Sequence, residues 1–493
     1  MVAVQYLSNV VGYKRLEMRR LIFIFPVCLV ICCSSTDKED SDVDSSMMVL
    51  LSTEEAKPDG HGLVSAEISF KGLDRASSLV IEKSSGAERT SLKFGTGIFT
   101  GNSTFQYAVK REDAASIEFY FHLNGKEGRM SPVTVLRVDN SSSRTFTSLS
   151  CTDFKVVSRI TGTEDNGHDG LPSVEYEVFN NTPQRFDVGG TDLGISWEIA
   201  PGRYGMFFGD TFGADFKPNL TAPAPGGSNW RGNVLLFSED NDLSDGLSIS
   251  DAAVDDTGKA REICFSAHIT SGTGDFTSIP TGAVHAGGKE YVHYMNIKTW
   301  QGWISNFSSL YTSSDSGVTW TRVKNVKFAS RSNFGQVGMF NHDGYVYIIG
   351  TVTGRSSKPQ LARVREEDIE NQSEWEFWNG TFWLKDKESL AATLIDDYSG
   401  ELSFAYLPQW GKWVLLYLNE QRNDQIIMRS ADNIIGPWSE PQIMTNGESF
   451  WRPYGSFIHP ISTKGGDKLY FVMSAWNAYN TYLISCKLNS MDN

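Results

Sequence analysis

Residues 309–320 read Ser-Leu-Tyr-Thr-Ser-Ser-Asp-Ser-Gly-Val-Thr-Trp. The last eight, Ser313 to Trp320, fit the spacing S-x-D-x-G-x-T-W, an "Asp box". In such a box the Asp and Gly hold a hairpin turn and the Trp packs beneath it. Asp315 is therefore read as structural rather than catalytic. The same grammar of short apolar strands and tight turns extends in both directions: YGMFFGDTFG (204–213), NVLLFSED (233–240), KEYVHYMNI (289–297), GYVYIIGTV (344–352), LSFAYLPQWGKWVLLYLN (402–419), QIIMRSADNIIGPW (425–438) and KLYFVMSAW (468–476). Helical periodicity is confined to EEDIEN (366–371). Strands in short meanders suit a propeller with about four strands per blade, and residues 151–493 at ~65–70 per blade make five blades. A parallel β-helix or a large sandwich would use the same strands. The GPW phrase at 436–438 is a blade turn, so Trp438 is also structural.

Composition agrees with an all-β chain. The 493 residues include 13 Trp, 18 Tyr, 29 Phe and 45 Gly, residues of strands and of turns. Residues 47–150 alternate apolar and polar positions in LVSAEISF, SSLVIEK, TFQYAVK, IEFYFHL and TVLRV, the pattern of an Ig-like β-sandwich. No catalytic constellation is visible there, and a spacer or docking role fits. With 59 acidic against 44 basic residues the net charge is −15, which argues against nucleic acid as a partner and leaves a glycan as the better candidate.

Residues 1–33 read as an export signal: Arg19 and Arg20 precede an apolar run from Leu21 to Ile31. The segment resembles a bacterial lipoprotein signal. Cys32 or Cys33 is then the lipidated residue, and the chain is attached to an outer membrane or cell surface, facing the periplasm or the exterior. Residues 34–46, acidic and Ser-rich, form a flexible tether. Three cysteines remain beyond the signal: Cys151, Cys264 and Cys486. An odd number, far apart, implies no disulfide framework and no zinc site, and the three are expected as small buried hydrophobes.

The chain has no GxSxG, HExxH, P-loop or GxGxxG opening a helix, and its eight His show no ligand spacing. No metal or cofactor is required. A calcium ion would find oxygens at Asp165 and Asp169 in TEDNGHDG (163–170), although a solvated loop explains that spacing better. Carboxylates remain as the acid–base groups. The densest stretch is GGTDLGISWEIAPGRYGMFFGDTFG (189–213), a hairpin turning at APGR (200–203). Asp192 and Asp210 are equidistant from Pro201, and a register centred there sets them face to face with Cβ atoms ~5 Å apart. A strict two-residue turn would put them on opposite faces, so the pairing needs a longer loop or a bulge. Opposed carboxylates push their pKa values apart, which is what acid/base or acid/nucleophile work at a glycosidic bond requires. The alternative is that each Asp caps its own turn.

From about 155 to 490 the chain resembles the endo-D-arabinofuranase family (glycoside hydrolase family 183, formerly a domain of unknown function). The phrases that carry the resemblance, in order, include GGTDLGISW, FFGDTFG, NWRGNVLLFS, IPTGAV, HYMNI, the Asp box, NFGQVGMF, YVYIIGT with Arg355 after it, LARV, GELSFAY, KWVLLYL, GPW and RPYGSFIHP. The resemblance implies a five-bladed propeller that cleaves internal α-D-arabinofuranosyl linkages in mycobacterial arabinogalactan and lipoarabinomannan. It also implies catalytic roles for Asp192 and Asp210. Substrate-binding candidates are Trp230 and Arg231 (platform and hydroxyl donor), Asn333 and Gln336 (amides for hydroxyls), Glu401 (third carboxylate), and Arg452 and Tyr454, with His459 in the same funnel. His285 and His293 are expected to be structural. The rivals are another propeller glycosidase, of sialidase or L-arabinanase type, and a non-catalytic glycan-binding lipoprotein.

Overall fold

A computed structural model describes residues 48–52, 63–76, 79–85, 88–93, 99–110, 117–123, 126–129, 147–163, 177–218, 226–450 and 452–492. The chain divides into two units. In the first, which takes Phe99–Lys110 apart from Phe105–Ala108, the strands Met48–Ser52, Leu63–Ala76 and Phe99–Lys110 form one sheet. Glu88–Lys93, Leu79–Ser85, Ile117–Leu123 and Lys126–Arg129 form another. Met48–Ser52 pairs antiparallel with Leu63–Ala76, and the second sheet is antiparallel throughout. The face-to-face packing that a sandwich requires lies outside the described residues. So do TVLRV, the signal, the tether, Cys32, Cys33 and the loop holding Asp165 and Asp169.

The second unit is a five-bladed propeller. Blade one contains Leu193–Ala200, Arg203–Phe208, Val234–Ser238 and Asp251–Ala252. Blade two contains Thr277–Ala286, Lys289–Thr299, Ile304–Ser313 and Thr321–Ala329. Blade three runs from Gln336–His342 through Tyr345–Thr351, Gln360–Arg365 and Glu376–Trp378 to Trp383–Lys385. Blade four contains Leu402–Leu407, Lys412–Asn419, Gln425–Ala431 and Gln442–Thr445. Blade five joins Pro453–Ile458, Lys468–Ala475 and Asn480–Asp492 to Thr147–Arg159 and Glu177–Val178. The first strand of each blade touches the first strand of the next, and that of blade five returns to blade one, so the ring is closed.

Burial follows from this arrangement. A blade is covered on both faces by its neighbours, so its inner strands lose the two-residue alternation of a half-exposed sheet. Lys412–Asn419 is buried at every position, whereas the rim strand Thr321–Ala329 is mostly exposed. Aromatic side chains fill the space between sheets: Trp413 packs on Phe340, Tyr347 and Tyr406, and Phe328 on Trp375. Trp438 joins the same core as Trp413. The Asp box behaves as its spacing suggests. Asp315 Oδ1 accepts from Ser313 Oγ (2.7 Å) and Thr319 N (2.8 Å), and Gly317 takes φ +86°. Trp320 donates to Gly317 O and wedges edge-on against Phe207 of blade one. The EEDIEN segment reduces to a single 3-10 turn, Glu366–Asp368.

One expectation is corrected. Cys151 and Cys486 form a disulfide, with Cα atoms 5.8 Å apart across 335 residues of sequence. The pairing was hidden because the two cysteines become neighbours only when Thr147–Arg159 lies beside Asn480–Asp492. Cys264 is the buried free thiol that was expected. Opening the disulfide (Cys151→Ser with Cys486→Ser) should lower the unfolding free energy by ~2–5 kcal/mol. Melting with and without reductant checks this; an unchanged melting temperature would contradict it.

Candidate active site

The hairpin of blade one positions the two aspartates. Ala200 pairs with Arg203 across a two-residue Pro201-Gly202 turn, with Gly202 at φ +78° as a type II turn needs. Ile199 is then bulged out, and pairing continues from Glu198–Tyr204 to Ile195–Phe207 in the register centred on Pro201. Up to here the bulge does what the sequence reading required. A second bulge at Gly194 then shifts the pairing to Leu193–Phe208. Asp192 consequently lies opposite Gly209, whose amide donates to the Asp192 carbonyl (3.1 Å), and not opposite Asp210. The expected direct facing is thus wrong by one residue. The cause lies across the ring: Gly194 has φ +99°, and a Cβ there would stand 2.4 Å from Val472 of blade five. The aspartates nevertheless line the same cavity, of about 300 Å³, at the end of the ring where the first strands begin.

Their surroundings differ. Asp210 is buried, and its Oδ1 accepts from Trp230 Nε1 (2.8 Å) and Thr277 Oγ1 (2.9 Å). Burial pushes its pKa up to about 6, opposed by those two donors and by His268. Asp192 is pushed up to about 8, first by burial and then by the charge of Asp210, with Glu401 adding to the effect. Its Oδ2 accepts from Tyr454 (3.0 Å), while Oδ1 is buried without a hydrogen bond of good geometry. That oxygen lies 2.2 Å from where a Cβ on residue 209 would be, so Gly209 makes room for it. The Tyr479 hydroxyl helps to hold the carboxylate form. Both carboxyls thus hold their protons above the usual carboxylate range, Asp192 more tightly than Asp210.

Gln336, Glu401 and Tyr454 line the cavity with the aspartates. Glu401 is gripped by Arg355, whose Nη2 lies 2.8 Å from Oε1, while Nη1 binds Glu420 (2.8 Å). The Arg355 guanidinium also lies over the rings of Trp303 and Tyr454. Trp230 does not line the cavity; it reaches the site by its bond to Asp210 and packs on His268. Arg231 is turned away, donating to the carbonyls of Ala260 and Asp187. Asn333 uses its backbone amide on Glu388 and stands outside the lining. Arg452 pairs with Asp424 at 3.6 Å beside Trp476. His459 is buried against Tyr204, away from this funnel. His293 is buried with its Nδ1 on Thr281, and His285 pairs with the buried Glu290.

Arg355, Trp300, Trp303, Trp476 and Tyr479 line the cavity but were not singled out as site residues. The signal for Trp300 and Trp303 was present in KTWQGW, two Trp around a glycine turn. Leu193 (φ +69°), Trp303 (φ +51°) and Tyr479 (φ +48°) all take the left-handed conformation unfavourable to side chains. Each costs on the order of 1–3 kcal/mol, and such strain gathers where the surrounding fold imposes it for function. A second cavity of about 290 Å³, lined by the later residues of the first strands, contains neither aspartate.

The fold and site define a five-bladed propeller with a buried carboxyl pair at one mouth of its axis. The chain belongs to the family described as Domain of unknown function (DUF4185), whose model matches residues 178–485. Notoamide biosynthesis cluster protein J of Aspergillus sp. (strain MF297-2) is 30% identical over 313 residues, covering 60% of this chain and 82% of that protein. Protein J' of Aspergillus versicolor is likewise 30% identical over 313 residues, covering 60% and 83%. Among solved structures, an alpha-L-arabinofuranosidase from Podospora anserina in complex with cellotriose is 11% identical, with a TM-score of 0.39 over 69% of this chain and 97% of its own. A likeness of that size carries no functional argument.

The two raised pKa values have a consequence for stability. Each carboxyl holds its proton more tightly in the folded chain than in the unfolded one, so folding takes up protons above pH 3.8. Stability is therefore lost as pH rises toward about 6 for Asp210 and about 8 for Asp192. Asp192→Asn should raise the melting temperature at about pH 9 and leave it nearly unchanged at about pH 4. A difference independent of pH would count against the buried acid.

Proposed function

We propose that the propeller is a glycoside hydrolase. It cuts internal α-D-arabinofuranosyl linkages of D-arabinan, the polymer of mycobacterial arabinogalactan and lipoarabinomannan. The observation that carries the reading is the pair of buried carboxyls in one cavity with pKa values raised unequally, to about 8 and about 6. That inequality assigns the roles. Asp192 gives its proton to the glycosidic oxygen as the bond to the anomeric carbon breaks. Asp210, ionised and oriented by Trp230 and Thr277, either bonds the anomeric carbon, in an ester that water then cleaves while giving its proton to Asp192, or takes a proton from the water that attacks that carbon directly. Tyr454 and Tyr479 hold the carboxylate left on Asp192, which later recovers a proton. Trp300, Trp303 and Trp476 give aromatic faces on which the C–H face of a sugar stacks.

The finer choice of D-arabinan rests on the phrase-by-phrase resemblance along residues 155–490. A sialidase needs several arginines for the substrate carboxylate. Among the described residues the cavity is lined by one, Arg355, already committed to Glu401 and Glu420. Residues 1–33 export the chain, lipid on Cys32 or Cys33 holds it at a bacterial surface, and residues 47–150 serve as a spacer ahead of a catalytic domain at 151–493. The Cys151–Cys486 disulfide suits an oxidising compartment.

Incubation with mycobacterial arabinogalactan should release a ladder of oligosaccharides, while unchanged polymer would refute the hydrolase. Asp192→Asn and Asp210→Asn should each lower kcat by ~10³-fold or more in a folded protein. The pH profile of kcat/KM should be bell-shaped, rising near about 6 as Asp210 ionises and falling near about 8 as Asp192 loses its proton. A profile flat between those values would remove the role assignment.

A further inference from the structure

We infer that Gln336 reads two neighbouring hydroxyls of the sugar ring in the aspartate cavity, and so sets which glycans the site accepts. This rests on the hydrolase reading above and deepens it.

Gln336 opens the first strand of blade three and is 2% exposed, yet it lines the cavity. Both ends of its amide, Nε2 and Oε1, are buried without a hydrogen-bond partner. Directly across the hairpin is Thr351, fully buried, whose Oγ1 is also without a partner. Buried polar groups in folded proteins are almost always paired, so the two unpaired amide atoms of Gln336 at the cavity wall, backed by an unpaired Thr351 Oγ1 that does not itself line the cavity, point to a partner supplied from the cavity. Two other lining residues keep one unpaired atom each, Trp476 Nε1 a donor only and Asp192 Oδ1 an acceptor only. Other polar groups of the cavity are engaged. Arg355 binds Glu401 and Glu420, Tyr454 binds Asp192, and Thr281 uses its hydroxyl on His293 and on the amide of Val337. Among the described lining residues, Gln336 alone offers a free donor and a free acceptor side by side.

The chemistry of the missing partner follows. A carboxylate would satisfy the donor and repel the amide oxygen; an ammonium would do the reverse. A hydroxyl both donates and accepts, and two hydroxyls on adjacent carbons give the amide one acceptor and one donor together. The ligand class is therefore a ring bearing a vicinal diol. A site built to bond hydroxyls discriminates strongly against analogues lacking one, because the protein groups are then left buried and unpaired.

The test compares wild type, Gln336→Leu and Gln336→Glu on an α-D-arabinofuranosyl oligosaccharide and on its 2-deoxy and 3-deoxy analogues. Leu removes both polar ends at similar volume; Glu keeps the shape and loses the donor. Gln336→Leu should lower kcat/KM about a hundredfold or more on the intact sugar and by at least about tenfold less than that on each of the 2-deoxy and 3-deoxy analogues, since each lacks one of the two hydroxyls that Gln336 reads. Its melting temperature should equal or exceed that of wild type, since two unpaired buried groups are gone. A merely structural glutamine would lower the melting temperature and slow all substrates alike, and that result overturns the inference. So does an active wild type whose two variants stay within about threefold of it. A wild type that neither cleaves nor binds the oligosaccharide removes the hydrolase reading, and this inference with it. Should the Leu variant fail to fold, the same comparison on Gln336→Glu decides.

Discussion

The antiparallel pairing of Thr147–Arg159 with Asn480–Asp492 is the constraint on which the rest of the molecule depends. A propeller blade is stable only when both faces are covered, and that holds for every blade only if the ring is shut. Here the last blade takes three strands from one end of the propeller sequence and two from the other, and the Cys151–Cys486 disulfide pins that seam. Further side-chain bonds cross toward blade four: Gln442 exchanges two with the backbone of Cys151, and Ser430 accepts from Leu149. Closure also brings Val472 against Gly194 and Ser474 against Leu193, so blade five shapes the strand from which Asp192 projects.

The aspartate cavity is therefore a property of the ring rather than of one hairpin. Blade one contributes the aspartates, blade two Trp300 and Trp303, blade three Gln336 and Arg355, blade four Glu401, and blade five Tyr454, Trp476 and Tyr479. Burial in this shared mouth raises both carboxyls, and the unequal supply of donors separates them. Asp210 has two donors on one oxygen, whereas Asp192 has one close donor and faces two other acids. Unequal hydrogen bonding in a dry place is enough to separate two carboxyls in this way.

What could be read from the chain follows the range of the interactions involved. The Asp box closes within eight residues, so its turn and its Trp320 were legible from spacing alone. The strand grammar, blade count and aspartate pair were legible because hairpins are local. The direct facing of Asp192 and Asp210 was not, because the Gly194 bulge answers to Val472, nearly three hundred residues away. Arg231 looked like a sugar ligand beside Trp230, but the two carbonyls that capture it lie on segments whose approach only the fold reveals. Trp476 and Tyr479 were missed for the same reason. The disulfide was obscured by a count of three cysteines that suggested none was paired.

The seam also imposes an order in time. Made or threaded from its N-terminus, the chain presents Thr147–Arg159 early, with Cys151 on a strand whose partner is absent until the final residues emerge. Through that interval the strand has an open edge, the kind that pairs with the wrong chain, and contacts this distant in sequence form slowly. Tyr454, Trp476 and Tyr479 arrive in the same late segment. A nascent or truncated chain thus carries Asp192 and Asp210 without the residues that bury and orient Asp192, and the cavity is complete only with the last strand.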